Sequence, residues 1–364
     1  MIQPSLGLLT FDTQVFERIW GGRKLETEYG MDLPPEKPIG EAWVISDHSS
    51  AESVINRGPF AGKTLHDLLT EAPNDLLGRC AQPTVHGRFP LLLKVLDARD
   101  VLSVQVHPDD AKAQELGEPD VGKTEMWHVL QSEPGSELYC GLRSDVTPEL
   151  FRQAVEEQHL EDLMVCFPVQ AGTPVFVPAG TVHAIGGGIV LAEIQQNSDL
   201  TYRLYDWGRL DAKGQPRELH IEKGLEAIHF GSSHSGPAHG LAYMADGVER
   251  MVLAACRYFA AEMLLLNGAT HTRNTRGDSF HILLAANTNV QIEAAGGAVD
   301  LQPGQAALVP GCCDTFAVAG EGTVLDYYVP DIAEDIIAPL RAAGHADPDI
   351  IRLGGDPRHS DIRP

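Results

Sequence analysis

The chain has 364 residues, with 27 Lys and Arg against 51 Asp and Glu and a formal net charge of −24. Such a field repels nucleic acid and anionic membrane, so neither is expected as a partner, and an anionic ligand would need local cations to overcome it. No apolar run approaches the ~20 residues of a membrane span, the N-terminus lacks a signal-peptide pattern, and the six scattered cysteines form no CxxC pair, so a soluble cytoplasmic protein with reduced thiols is expected.

The elements in chain order are mostly short strands. Runs of Val, Ile, Leu, Tyr and Phe bounded by turn residues recur as "EAWVIS", "PLLLKVLD", "VLSVQVH", "EMWHVL", "ELYCGL", "TPVFVPAG", "GIVLAEIQQ" and "LTYRLYDW". Helical spacing interrupts them at about 64–78, in "DDAKAQEL", at 147–165 and at 220–230; Thr147 followed by Pro148 is a good helix start. The small, Gly-rich stretch 231–246 reads as a linker, and a second β-rich run follows over 247–330. Residues 331–364 open with helical spacing in "DIAEDIIAPLRAA" and end as a polar tail. Closely spaced strands with turns between them favour a sandwich or barrel over a βαβ sheet.

Strand alternation puts Ser103, Gln105 and His107 of "SVQVH" on one face, and Lys123, Glu125 and Trp127 of "GKTEMWHVL" on one face, with His128 on the opposite side. In "GTPVFVPAGTVHAIGGG" the spacing is Gly172, five residues, Pro178, one residue, Gly180, two residues, His183. This resembles the second motif of the cupin superfamily, in which a Pro-Gly turn aims a His into a small β-barrel. The first cupin motif is matched by Gln105-x-His107 and by Glu125. Two imidazoles, a carboxylate and an amide oxygen form a mixed N/O donor set that suits Zn²⁺ with a position left open. Each residue alone has a structural reading; together they favour a metal site. In "EIQQNSDLTYR" a hairpin centred on Ser198 would set Glu193 across from Arg203, as catalytic residues or as a structural ion pair.

These segments, with "VFERIWGGRKL", "GEAWVIS" and "FPLLLKVLDARDVLSVQVHPDD", resemble type I mannose-6-phosphate isomerase in its shorter bacterial form, in the family's order over roughly residues 11–210. The resemblance implies a mainly β fold of two cupin-type jelly-roll β units with helical insertions in and after the first. Residues 1–230 would form the catalytic cupin domain and 247–330 a degenerate cupin-like domain, since Cys312-Cys313-Asp314 stand where a ligand His would be expected. It implies one Zn²⁺ per chain on Gln105, His107, Glu125 and His183, and catalytic roles for Arg203, Glu193 and Lys123.

The reaction implied is the reversible isomerisation of mannose 6-phosphate and fructose 6-phosphate through a cis-enediol. Glu193 is the expected base, with Lys123 or a zinc-bound water as alternatives, and Arg203 would stabilise the enediolate oxygens. Ser103 and Lys94 are candidates for the phosphate. The partner is then a small sugar phosphate, and a monomer is expected because the family's site is built within one chain. Two other readings stay open: a zinc cupin isomerase acting on another sugar or sugar phosphate, and a non-catalytic sugar-binding cupin.

Overall fold

The computed structural model describes residues 6–210, 214–232, 234–245 and 247–364. Ser233 and Asp246, within the expected linker, lie outside the described residues, as do 1–5 and 211–213 of the expected first domain. The fold is mainly β. Its early strands are β1 (Gln14–Gly22), β2 (Ile39–Ile45), β3 (Asp47–His48), β4 (Ala51–Glu52), β5 (Leu91–Ala98), β6 (Val104–Val106), β7 (Glu125–Ser132) and β8 (Glu137–Leu142). They continue with β9 (Met164–Pro168), β10 (Pro174–Val177), β11 (His183–Ile185), β12 (Ile189–Gln196) and β13 (Tyr202–Tyr205). Later come β14 (Leu241–Ala245), β15 (Val248–Ala255), β16 (Ala260–Asn267), β17 (His271–Asn274), β18 (His281–Ala285), β19 (Val290–Ala294), β20 (Gly297–Leu301), β21 (Ala306–Val309) and β22 (Thr315–Tyr328).

Two open sheets carry the early strands, in the orders β1-β2-β5-β12-β7-β10 and β13-β6-β11-β8-β9, except that β3 and β4 pair only with each other. A third is built on β14-β15-β16-β22-β18-β21, with β17, β19 and β20 attached. Strand β5, "LLLKVLDA", is buried along its whole length, as expected of a strand covered on both faces.

The chain groups into two compact units that are discontinuous in sequence. One comprises 15–42 and 95–238, the other 1–14, 43–94 and 239–364. Residues 1–14 and 43–94, expected with the first domain, therefore group with the C-terminal strands. Backbone bonds explain this: Leu9 and Leu308 exchange both amide bonds, Leu8 N–H donates to Ala295 O, and Phe280 N–H donates to Leu77 O. The stretch 231–246 is also not wholly a linker, because Leu241–Ala245 is strand, paired residue by residue with Val248–Val252.

In the 15–42/95–238 unit, the sheet faces divide by chemistry. Trp127, Val129, Leu138, Val175, Val177, Ile185 and Leu191 pack together in one core. The other faces of β6, β11 and β13 present Val104, Val106, Ala184, Tyr202 and Leu204 to a second core that includes Phe151, Ala154 and Ala227 from helices Pro148–Glu156 and Ile221–Ala227. Thr147 caps the first of these by accepting from Leu150 N–H, with Pro148 in the first turn. Residues of odd parity on β6 and β11, Gln105 and His183, are thus turned away from the helices.

Candidate metal centre

His183 opens β11, and the turn before it explains its position. Thr181 N–H donates to Pro178 O at 3.1 Å, and Gly180 has φ +85°, the left-handed conformation that the third residue of a type II turn requires. A Cβ on Gly180 would lie 2.5 Å from the His229 ring. Gly180 N–H donates to His107 O at 2.8 Å, so this turn ties the two histidine segments together.

Gln105 pairs with His183 on one side and with Arg203 on the other, while Cys140 pairs with His183. Directly paired residues emerge on one face. Arg203, Gln105, His183 and Cys140 therefore form a row across one sheet. On the other sheet Gln195 pairs with Glu125, and Glu193 pairs with Trp127, which gives two adjacent rows on one face of β7 and β12.

His107, Glu125 and His183 converge between these rows, with one ligand-type atom from each lying within 4.8 Å of the others. Glu125 Oε2 is 3.4 Å from His107 Nε2, and Glu125 Oε1 is 3.4 Å from His183 Nε2. All four atoms are buried and have no hydrogen-bond partner. Glu125 Oε2 has the Lys123 ammonium beside it, and leaving the other three buried atoms so would be costly unless something else occupies the point they face. The outer nitrogens are spoken for: His107 Nδ1–H donates to Leu200 O and His183 Nδ1–H to Thr181 O, both at 2.8 Å. Each bond fixes the tautomer with the Nε2 lone pair directed inward, as in histidine metal ligands.

The charges agree with that role. Burial pushes the His107 imidazole down to about 3, helped by the Lys123 ammonium, and burial likewise lowers His183, so both rings are neutral donors at neutral pH. Burial opposes ionisation of Glu125, yet the Lys123 ammonium beside it holds it well below the usual carboxylate range. Lys123 Nζ lies 3.1 Å from Glu125 Oε2; burial opposes its charge, but Glu125, Glu193 and Asp199 raise its affinity for the proton. The donor set fits a divalent cation of the zinc class.

Glu193 is buried, and its Oε2 accepts from Trp127 Nε1–H at 3.0 Å. It does not face Arg203 across a hairpin. Strands β12 and β13 belong to different sheets, and residues 197–201 carry the chain from one to the other, so the expected pairing is replaced by Glu193–Trp127 and Arg203–Gln105. Arg203 donates from Nη1 to Glu218 O, and its buried Nε has no hydrogen-bond partner. Burial, then the charge of Arg217, lowers its proton affinity, with Arg209 acting in the same sense. Arg209 and Arg217 share the single carboxylate of Asp206.

Ser103 is buried two residues before Gln105, and Lys94 belongs to the other compact unit, where its ammonium sits 4.8 Å from the Trp43 ring centroid. Sequence reasoning missed Gln195, Arg209 and Arg217. Gln195 was accessible by alternation from Glu193, whereas the arginines become neighbours of Arg203 only through the fold.

A family model described as phosphomannose isomerase type I, catalytic domain, matches residues 8–125. The mannose-6-phosphate isomerase of Streptococcus mutans is 39% identical over 267 residues, which are 73% of this chain and 81% of the relative. The chain belongs to the type I phosphomannose isomerases. Being a type I phosphomannose isomerase, it is an enzyme, an intramolecular aldose–ketose isomerase of mannose metabolism. The mannose 6-phosphate isomerase of Bacillus subtilis superposes with a TM-score of 0.79 at 29% identity, over 88% of this chain and 99% of that one. A zinc-bound mannose 6-phosphate isomerase shares the phosphomannose isomerase fold at 17% identity, with a TM-score of 0.69 over 89% of this chain and all of the other.

Proposed function

We propose that the centre holds one zinc ion on His107, Glu125 and His183, with Gln105 as a fourth ligand, and that the chain interconverts mannose 6-phosphate and fructose 6-phosphate through a cis-enediol. The observation that carries this reading is the convergence of His107, Glu125 and His183, each offering a buried ligand atom that makes no hydrogen bond. The zinc in a structure of the same fold supports the choice of metal. When bound, the ion supplies a Lewis acid for the substrate carbonyl.

The surrounding side chains divide the remaining work. Glu193, oriented by the Trp127 indole, takes the C2 proton of mannose 6-phosphate and returns it to C1, so a single base serves both proton transfers on one face of the cis-enediol. Lys123 keeps its proton between Glu125 and Glu193 and donates to a substrate oxygen without titrating at neutral pH. Arg203, with an uncommitted Nε, stabilises negative charge as it develops on the enediolate oxygens. Its neighbours Arg209 and Arg217, with Ser103, make this end of the row the phosphate side, a local reversal of the acidic overall charge.

The test is a coupled assay of fructose 6-phosphate formation from mannose 6-phosphate, before and after dialysis against a chelator. Activity should vanish with the metal and return on adding zinc. Activity on free mannose alone would sink the substrate assignment, and full activity after metal removal would sink the metal.

A further inference from the structure

In the other compact unit, β14, β15, β17, β18 and the end of β22 surround a cavity of about 230 Å³. Its floor is buried, with Arg250, Ser279, His281 and Tyr328 each less than a tenth exposed, while Asn274, Arg276 and Glu334 on its wall are exposed and form the rim. The volume lies below the roughly 300–1,000 Å³ of pockets for drug-sized ligands. The occupant must be small.

The wall is mixed, with the Tyr243 and Tyr328 rings and Pro339 beside a majority of polar side chains, and those polar groups are held in place by a buried network. Arg273 donates to Glu262 Oε2 at 3.0 Å and to Asp326 Oδ2 at 2.8 Å, and it lies 4.3 Å above the Tyr328 ring centroid. His281 Nδ1–H donates to Asp326 Oδ1 at 2.8 Å, which leaves its Nε2 as an acceptor. Arg250 Nη2 is 2.6 Å from His271 Nε2, and Arg250 Nε is buried without a hydrogen-bond partner. With its Nη atoms held by Tyr243 and His271, Arg250 joins Arg273 and Arg276 as one of three fixed guanidiniums on the wall, and guanidinium N–H groups can only donate.

The signs of the charges narrow the ligand. Three arginines on the wall are balanced by Asp278, Glu334 and Asp335, and Glu262 and Asp326 add two acids behind them, so the cavity is not a site for an anion. Asp278 and Asp335 are ion-paired to Arg276, which argues against a metal ion, and the three arginines and three acids on the wall argue against a wholly apolar ligand. What fits is a molecule whose every polar group both donates and accepts. Arginine N–H groups meet its oxygens, Asp335 and His281 Nε2 accept its hydroxyl protons, and the Tyr328 ring offers an apolar face to its carbons.

We propose that this cavity is a second ligand site, for a neutral polyhydroxylated molecule of monosaccharide size. It is distinct from the metal centre and does not depend on the catalytic reading. The degenerate β unit would then have kept the pocket of a cupin while exchanging metal ligands for a fixed hydrogen-bonding lattice.

The test uses saturation-transfer NMR on the full chain with D-mannose as probe, in the presence of saturating fructose 6-phosphate to fill the catalytic site. Mannose should still receive saturation, and His183→Ala should leave that signal intact. Asn274→Trp, which blocks the rim at an exposed position, should weaken binding at least about tenfold while isomerase activity is unchanged. Arg250→Met, which keeps the bulk but removes the donor, should weaken it similarly; circular dichroism checks that each variant is folded. A signal abolished by fructose 6-phosphate or by His183→Ala would assign the sugar to the catalytic site and overturn the proposal. So would an undiminished signal in folded Asn274→Trp, displacement of mannose by inorganic phosphate, or no signal in the wild-type protein.

Discussion

Trp127 holds one oxygen of Glu193 by a hydrogen bond, much as the carbonyls of Thr181 and Leu200 hold the outer nitrogens of the two imidazoles. Glu193→Gln keeps the shape and removes the basicity. It should lower kcat by roughly 10²–10⁴-fold, the usual contribution of a general base, with zinc content unchanged by metal analysis. A near-normal rate would move the base to Lys123. Trp127→Phe removes the indole donor and frees the carboxylate to rotate, so kcat should fall more than KM changes, again with zinc retained. Residues of this site were legible where chemistry lies in local spacing. The turn from Pro178 to Thr181 announces His183, and alternation puts Gln105 and His107 on one side. The Glu193–Arg203 opposition was not legible, because a short polar stretch looks the same whether it closes a hairpin or carries the chain to a second sheet.

At the scale of elements, the Pro178–Thr181 turn and strand β7 carry the centre. Gly180→Ala would place a side chain at φ +85° and against the His229 ring, at a cost of at least about 1–3 kcal/mol. A lowered unfolding midpoint together with a lost fraction of bound zinc should be seen. On the opposite face of β7 from Glu125, burial pushes His128 down to about 4, from an unfolded value near 6.5. The unfolded chain therefore binds its proton first. Stability from this residue is complete above about pH 6.5 and declines as pH falls toward 4, by on the order of 3 kcal/mol. His128→Phe should flatten that part of the stability curve, measured by denaturant unfolding at several pH values; an unchanged slope would mean that His128 is not held neutral. Strand positions were largely readable from apolar runs and turn residues. Which strands become neighbours was not, since pairings such as β6 with β11 and β13 join residues scores of positions apart and follow from burial of whole faces.

For the whole molecule, a chain with 51 acids and 27 bases sets Arg203 next to Gln105 and close enough to feel the charges of Arg209 and Arg217, which share the Asp206 carboxylate. That contrast is what an anionic substrate needs in an acidic protein. The sequence suggested one catalytic block followed by a linker and a second block. Contacts instead group residues 1–14 and 43–94 with the C-terminal strands, because Leu9 and Phe280 make backbone bonds that no linear boundary anticipates. The whole metal centre nonetheless falls in one unit, 15–42 with 95–238. Removing the metal should leave Glu125 and the two imidazoles without their common partner, so thermal unfolding of the chelated protein should shift to lower temperature and recover with zinc.

The most direct measurement is zinc content and mannose 6-phosphate isomerase rate on the same preparations of wild type and Glu125→Gln. One zinc per chain and full rate in the wild type should give way to a folded variant that has lost both. A Glu125→Gln protein that keeps the wild-type rate without stoichiometric zinc would contradict the account.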